Sequence, residues 1–312
     1  MKRRLLTLPA FLAALSAHAA PALPPQEAAA WLQKISDASR RMPYEGLFVF
    51  QHGGSAQTLM VSNRPNSGSS ESRLLTMDGT QREVRCTQQA SVTLMVNGNQ
   101  QRLERRLNKR HFPDLLPENA APLANWYSVR SGSADRVAGR DCGNVEILPK
   151  DAYRWGYVLC VDRNTGFPLR AVMINGEGRP LMQYSFAEVR LGTMPRVDNR
   201  PIPAIPETAR PVANERVEVN GLPPGFTRIA AVRRQLPNLS GEVEHWVFSD
   251  GLTHLSLFLE PAHRPAETIK GQSKQGMINM IKRPLGDLQA TVLGEAPMAT
   301  VETIAMGLEA KP

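Results

Sequence analysis

The sequence predicts an α+β protein of two domains, a large antiparallel sheet covered by one helix and a smaller α+β domain. Apolar residues recur at helical spacing in one segment near the beginning of the chain and in another at its end, whereas most of the chain between them resembles short strands joined by tight turns. A proline-rich stretch separates two groups of strands. The 312 residues are enough for two domains of ordinary size.

The first predicted element of the large domain is a helix that follows Pro24-Pro25 and ends at Met42-Pro43. Proline is tolerated in the first turn of a helix but stops the helix when it comes later. The apolar positions fall at i, i+3, i+4 and i+7 and are Ala28, Trp31, Leu32 and Ile35. We expect this face to lie on the apolar face of the sheet.

A meander of strands is predicted to follow this helix. Asp78-Gly79 and Asn97-Gly98 are typical of two-residue turns in β-hairpins, and the other connections are also short. The predicted strands are Tyr44–Gln51, Leu59–Ser62, Arg73–Met77, Thr80–Thr87, Val92–Val96, Gly143–Leu148, Arg154–Val161, Leu169–Ile174 and Leu181–Arg190. Successive hairpins of this kind build an antiparallel sheet.

The domain boundaries follow from composition. Residues 24–192 form the predicted N-terminal domain, and the linker 193–215 contains five prolines, which remove backbone donors and stiffen the chain. Residues 216–312 form a small α+β domain. Its predicted elements are the strands Val217–Gly221, Phe226–Gln235, Glu242–Phe248, Thr253–Glu260 and Leu288–Gly294 and the closing helix Pro297–Leu308.

The first 19 residues are typical of a secretory signal peptide. Basic residues from Lys2 to Arg4 precede a short apolar run, Leu5–Ala17, which is shorter than the roughly 20 residues that a membrane-spanning helix needs. We expect cleavage after Ala19, with Ala22 as the alternative, and a mature protein in the periplasm. The formal net charge of +8 includes the leader's basic residues, so the mature chain remains basic and would attract anions.

The sequence also predicts a disulfide in one hairpin. If the turn centres on Asp151, Cys142 and Cys160 lie directly opposite one another, within reach of a disulfide. An oxidising compartment would favour this bond, although two reduced, buried thiols are the alternative. The same register predicts the facing pairs Ile147 with Trp155, Val145 with Tyr157 and Gly143 with Leu159. Cys86 is left over and is expected to be buried.

No sequence motif indicates catalysis, so we expect a protein that is not an enzyme and has no cofactor. The sequence lacks nucleophile elbows, zinc-binding motifs, phosphate-binding loops and dinucleotide fingerprints. His245 and His254 lie near one predicted hairpin and could face each other as metal ligands. Because no cysteine or clear carboxylate accompanies them, ordinary packed or exposed histidines are the better interpretation.

Two other groups of residues are candidates for binding. An apolar pocket for lipid, with a filled core as the alternative, would be lined by Trp31, Leu32, Ile35, Phe48, Phe50, Leu94 and Met95. A patch for an anion or a partner, with a solvated strand and loop as the alternative, would comprise Arg102, Arg105, Arg106, Lys109 and Arg110.

Several short segments, taken in order, resemble the RseB/MucB family, periplasmic negative regulators of the sigma-E (AlgU) envelope-stress response. No single segment is specific, but their order and spacing extend over nearly the whole mature chain. They are Tyr44-Glu45-Gly46, Met77-Asp78-Gly79, Arg82-Glu83-Val84, Gly166-Phe167-Pro168-Leu169-Arg170, Leu222-Pro223-Pro224-Gly225-Phe226, Ser249-Asp250-Gly251-Leu252 and Leu293-Gly294-Glu295.

The resemblance implies a fold and a function. The large domain would be an antiparallel β half-barrel like LolA and LolB, with a helix against its concave face, and the small C-terminal α+β domain would bind beside it. Together they would hold the periplasmic segment of a membrane anti-sigma factor like RseA or MucA and shield it from proteolysis. Lipid or lipopolysaccharide would release that segment.

Two other classes of function remain open at this point. The large domain alone would suit a periplasmic lipid or lipoprotein carrier, because a fold does not determine a function. An unrecognised hydrolase would instead place a polar cluster between the domains. We expect no nucleic acid partner. The protein would be peripheral to the inner membrane through its partner, and its oligomeric state, including a homodimer, is left open.

Overall fold

The computed structural model describes residues 20–66, 69–86, 91–97, 100–106, 111–196, 209–213, 215–235, 241–262 and 271–311. For 91–97 and 100–106 it describes the course of the backbone. The predicted signal peptide, 1–19, lies outside the described residues. Within the described part of the chain, no helix is both long and apolar enough to cross a membrane.

The large domain begins with helix α1 (Pro25–Arg41), which is followed by one antiparallel sheet of eleven strands. The strands are β1 (Tyr44–His52), β2 (Ser55–Asn66), β3 (Ser69–Thr76), β4 (Gln81–Cys86), β5 (Ser91–Asn97), β6 (Gln100–Arg106), β7 (Tyr127–Val137), β8 (Arg140–Pro149), β9 (Gly156–Asp162), β10 (Pro168–Ile174) and β11 (Pro180–Leu191). Their spatial order is β6-β5-β4-β3-β2-β1-β11-β10-β9-β8-β7, so the first and last strands pair in the middle.

Helix α1 lies on one face of this sheet and buries its apolar stripe there. The segment between β6 and β7, which contains the 3₁₀ helix η1 (Ala121–Asn125), lies beside it. Phe112 of this segment is buried against three aromatic rings of the sheet, with centroid distances of 5.1 Å to Phe48 and 5.2 Å to both Tyr184 and Phe186. This aromatic cluster is the centre of the large domain's core.

The small domain is built on a second antiparallel sheet with its own core. Its elements are β12 (Arg210–Pro211), β13 (Val217–Val219), β14 (Thr227–Gln235), β15 (Glu242–Ser249), β16 (His254–Pro261), β17 (Gly271–Gln275), β18 (Ile278–Leu285), β19 (Leu288–Gly294), α2 (Met298–Met306) and β20 (Leu308–Ala310). The seven-stranded order is β12-β14-β15-β16-β19-β18-β17, and β13 pairs separately with β20. Trp246 and Phe248 are the largest fully buried side chains of this core.

The predicted register of the β8–β9 hairpin is wrong by two residues. Ile147 faces Tyr157, Val145 faces Leu159 and Gly143 faces Val161, while Cys142 faces Asp162 and not Cys160. The reason lies in the connection. The Oδ1 atom of Asp151 accepts a hydrogen bond from the backbone N–H of Tyr153 at 2.9 Å and curls the chain, so that β9 begins at Gly156 and Arg154 stays outside the strand.

The cysteines are nevertheless joined. Cys142 and Cys160 are diagonal neighbours on the sheet, with Cα atoms 5.5 Å apart, and form a disulfide between two fully buried side chains. Cys86 takes part in no disulfide and is half-buried rather than buried.

Candidate functional site at the junction of the two domains

Arg154 marks the place where the two domains meet. Its side chain has an exposed fraction of 0%, although it projects from the loop between β8 and β9 of the large domain. A buried guanidinium is costly unless its charge is balanced and its N–H groups are hydrogen-bonded. The neighbours of Arg154 meet both conditions.

The guanidinium donates to acceptors from both domains. Within the large domain, its Nε atom lies 3.0 Å from Oδ1 of Asp151. In the small domain, its Nη1 atom lies 2.8 Å from Oδ2 of Asp250, and its Nη2 atom donates to the backbone carbonyl of Pro224. The planar group therefore binds three acceptors in fixed directions, which an ammonium group could not do.

Three aromatic rings surround the same guanidinium. Its Cζ atom lies 5.5 Å from the ring centroid of Trp126 and 5.6 Å from that of Tyr127, both in the large domain. Phe226 of the small domain is closer, at 5.1 Å. Arginine at these distances from ring faces gains cation–π attraction. We call Asp151, Arg154, Asp250 and the rings of Trp126, Tyr127 and Phe226 the Arg154 cluster.

Asp250 has every lone-pair direction used. Its Oδ1 atom accepts the backbone N–H groups of Leu252 at 2.9 Å and Thr253 at 2.7 Å, which shapes the turn between β15 and β16. Its Oδ2 atom accepts the hydroxyl of Tyr127 at 3.0 Å in addition to Arg154. Burial, and then the charge of Asp250, raise the pKa of the Tyr127 hydroxyl well above its ordinary value, so this hydroxyl is a donor at neutral pH.

A glycine allows the small domain to lie close to the Trp126 ring of the large domain. Gly225 has φ of +79°, and a Cβ atom placed there would lie 2.4 Å from the indole ring of Trp126. Only glycine adopts this backbone conformation without strain and also leaves room for the ring. The segment Leu222–Phe226 therefore reaches the large domain because of its glycine.

A second contact between the domains is apolar. Met277, in the turn between β17 and β18 of the small domain, has an exposed fraction of 7% and belongs to the core cluster of the large domain. Next to it, a Cβ atom on Gly276 would lie 2.4 Å from Nε2 of His52, at the end of β1. The turn therefore fits closely against the large domain.

The structure places the residues of the predicted lipid pocket in different surroundings. Leu32, Ile35 and Phe48 are fully buried in the core around Phe112. Trp31 and Phe50 are half-buried at the border of that core. Leu94 and Met95 lie on β5, whose side chains are outside the description. The buried positions favour a filled core, and lipid binding at this site stays a prediction.

The predicted basic patch lies at an edge of the large sheet. Arg102, Arg105 and Arg106 are on β6, the edge strand, for which the structure describes the backbone. Lys109 and Arg110 lie outside the described residues. The role of this patch in binding an anion or a partner stays a prediction.

The two histidines of the small domain do not face one another. His245 pairs across the sheet with Phe258, and His254 pairs with Ser249. The imidazole of His245 stacks on Phe258 and lies 2.9 Å from the hydroxyl of Ser256. Among the described residues, no group of three or more histidine, cysteine, aspartate or glutamate side chains is arranged to hold a metal ion.

Sequence reasoning missed the Arg154 cluster. The sequence pattern places Arg154 in a strand, and a single arginine carries no pattern that indicates burial. A signal was nevertheless present in two of the segments on which the family resemblance rests, Leu222–Phe226 and Ser249–Leu252. Both reach the cluster, through Pro224, Phe226 and Asp250.

Comparison with known proteins covers both domains. The MucB/RseB N-terminal domain family matches residues 27–210, and the MucB/RseB C-terminal domain family matches residues 211–309. The regulatory protein MucB of sigma factor AlgU, from Pseudomonas aeruginosa, is 29% identical over 303 residues, which is 94% of each chain. The sigma-E factor regulatory protein RseB of Escherichia coli is 23% identical over 293 residues, or 90% of each chain.

Solved structures of MucB resemble this chain over both domains. A crystal structure of MucB in complex with MucA(peri) superposes with a TM-score of 0.72 and 28% identity, covering 91% of this chain and 99% of the other. A crystal structure of MucB gives a TM-score of 0.65 and 26% identity, covering 92% and 98%. The matches of both domains, in order and over nearly the whole chain, show that the protein belongs to the MucB/RseB family.

Proposed function

We propose that this protein binds the periplasmic segment of a membrane anti-sigma factor, shields it from proteolysis and so restrains a sigma-E-type envelope-stress response. The observation that carries the proposal is the likeness, across both domains, to a MucB whose structure was solved in complex with MucA(peri). Other relatives are named as regulators of sigma-E or AlgU.

The arrangement of the domains supports a binding role. The Arg154 cluster and the Met277 turn hold two separate sheets against one another, so an extended partner could contact both domains at once. Extended peptides often bind where a surface is already formed, because less conformational freedom is then lost on binding. The relatives are named as regulatory proteins, which agrees with a binding protein rather than an enzyme.

The disulfide supports a periplasmic location. Disulfides persist in oxidising compartments such as the bacterial periplasm. Cys142 and Cys160 are both fully buried and joined. Together with the predicted signal peptide, this bond supports export to the periplasm.

The proposal includes release by lipid. Acyl chains or lipopolysaccharide would compete with the anti-sigma segment, so that each ligand lowers the affinity for the other by the same factor. Among the pocket residues whose side chains are described, Trp31 and Phe50 are half-buried at the border of the large core, and acyl chains would enter there.

A titration tests this function. Residues 20–312, prepared with the disulfide intact, would be titrated with the periplasmic segment of the anti-sigma factor from the same genome, with a scrambled segment of equal charge as the control. We expect saturable binding of the native segment and a higher apparent Kd when lipopolysaccharide is added. Absence of binding, with lipid retained through purification, would instead indicate a lipid or lipoprotein carrier.

A further inference from the structure

We propose that Arg154 is a positioning residue for partner binding, which locks the orientation of the two domains and thereby preforms the surface that spans them. This inference rests on the proposed function, because it concerns how that surface is made. Arg154 and its small-domain partner Asp250 both have an exposed fraction of 0%, so neither can touch a partner. An influence of Arg154 on binding would therefore pass through the groups that it holds, the Asp250 side chain and the Pro224 carbonyl, and so through the placement of the small domain against the large one.

The cluster is suited to setting an orientation because it is directional. The guanidinium is held by the side chain of Asp151 on one side and by Asp250 and the Pro224 carbonyl on the other. Each hydrogen bond requires both a distance and an angle. Three acceptors around one planar group therefore fix rotation between the domains as well as separation.

The energetics of the pair indicate the same role. Two buried charges lose their hydration, and this loss cancels most of their attraction, so a buried ion pair often contributes little net stability compared with apolar residues of similar volume. What such a pair supplies is a unique geometry, since displaced charges would be left unpaired in an apolar surrounding. The rings of Trp126, Tyr127 and Phe226 provide that surrounding.

The consequence for binding is quantitative. A protein whose domains take many orientations binds a two-domain partner with an affinity reduced by the fraction of molecules in the competent orientation. If unlocking leaves one molecule in ten competent, the apparent Kd rises about tenfold. The isolated interactions of each domain with the partner would be unchanged.

The test removes both charges together. In the double variant Arg154→Met with Asp250→Asn, the asparagine keeps the Oδ1 acceptor for the turn of residues 250–253, and methionine fills the space of the arginine stem. A matched control makes the same changes in the exposed pair of the small domain, Arg216→Met with Asp287→Asn, whose Nη1–Oδ2 distance is 2.9 Å.

Inter-domain distances give the direct reading. Spin labels would be attached at Glu177→Cys in the large domain and Glu309→Cys in the small domain, in a Cys86→Ser background. The distance between the labels would be measured by double electron–electron resonance. Both labelled positions are exposed. We expect the double variant to show a broader distance distribution and an apparent Kd for the anti-sigma segment raised about tenfold. The control should match the parent protein in both measurements.

A double variant with the parent's distance distribution and affinity would overturn the proposal. If the double variant fails to fold, Arg154→Lys decides the question, because lysine keeps the charge but cannot donate to all three acceptors in fixed directions. This variant should broaden the distance distribution. An unchanged distribution would also overturn the proposal. Failure of the parent protein to bind the segment would refute the proposed function. The inter-domain distances in the free protein would still test whether Arg154 fixes the orientation of the domains.

Discussion

Two of the contacts between the domains differ in kind. At the Arg154 cluster, charged groups with no exposure meet through directed hydrogen bonds. At the turn between β17 and β18, Met277 enters the core of the large domain through apolar packing. Apolar packing adds stability with little directional demand, because a flexible thioether side chain fits many shapes. The Arg154 cluster therefore sets the angle between the domains, while the Met277 turn contributes mainly burial.

Removal of one charge should have the largest effect. Asp250→Ala leaves the guanidinium of Arg154 buried without its charged partner in the small domain and also removes the acceptor of the 250–253 turn. We expect the free energy of unfolding to fall by about 3–5 kcal/mol. Urea denaturation followed by circular dichroism measures it. A fall below about 1 kcal/mol would mean that the cluster is not the charged, dry site described above.

Truncation of Met277 should lower the free energy of unfolding by less than Asp250→Ala does. Met277→Ala removes buried methylene groups and the sulfur at the edge of the large core. We expect the free energy of unfolding to fall by about 2 kcal/mol, the lower end of the range for such truncations. Met277→Leu, which conserves volume, is the control and should cost less than about 1.5 kcal/mol. The same denaturation experiment applies. If Met277→Ala broadens the inter-domain distances as much as the Arg154 double variant does, the assignment of orientation to one contact is wrong.

An exposed ion pair should have the smallest effect. Arg216 and Asp287 lie within the small domain with side-chain exposures of 50% and 80%. Because water already solvates both groups, Arg216→Ala should change the free energy of unfolding by no more than about 1 kcal/mol. Thermal melts at low and high salt would detect any contribution, and a larger loss would show that burial is not what distinguishes the Arg154 cluster.

Local patterns predicted the elements best. The α1 helix begins and ends as expected, because the prolines at its start and end and the spacing of Leu32 and Ile35 act within the helix itself. The predicted β15–β16 hairpin is confirmed for the same reason, with Asp250-Gly251 at its turn. Strands with weak alternation were missed or shortened, including β7, β18 and most of β2.

Interactions distant in sequence could not be predicted. Arg154 and Asp250 are 96 positions apart, and nothing near either residue specifies the other. The predicted register of β8 and β9 is wrong because it centres the turn on Asp151, whereas the observed pairs centre on residue 152 and Arg154 lies outside the strand. Both errors involve the connection that carries Arg154, since a residue that contacts another domain need not follow the pattern of its own hairpin.

The pairing of β1 with β11 has a consequence for biogenesis. Each half of the large sheet is a run of consecutive hairpins, but the halves join only where Phe50 faces Tyr184 and the neighbouring pairs align. Because residues 44–52 precede residues 180–191 along the chain, this edge of β1 has no partner until the whole domain has been made. Contacts of such long range form slowly, and open edges invite pairing with other chains. The interval before residues 180–191 are available is therefore the stage of folding at which β1 is most open to pairing with another chain.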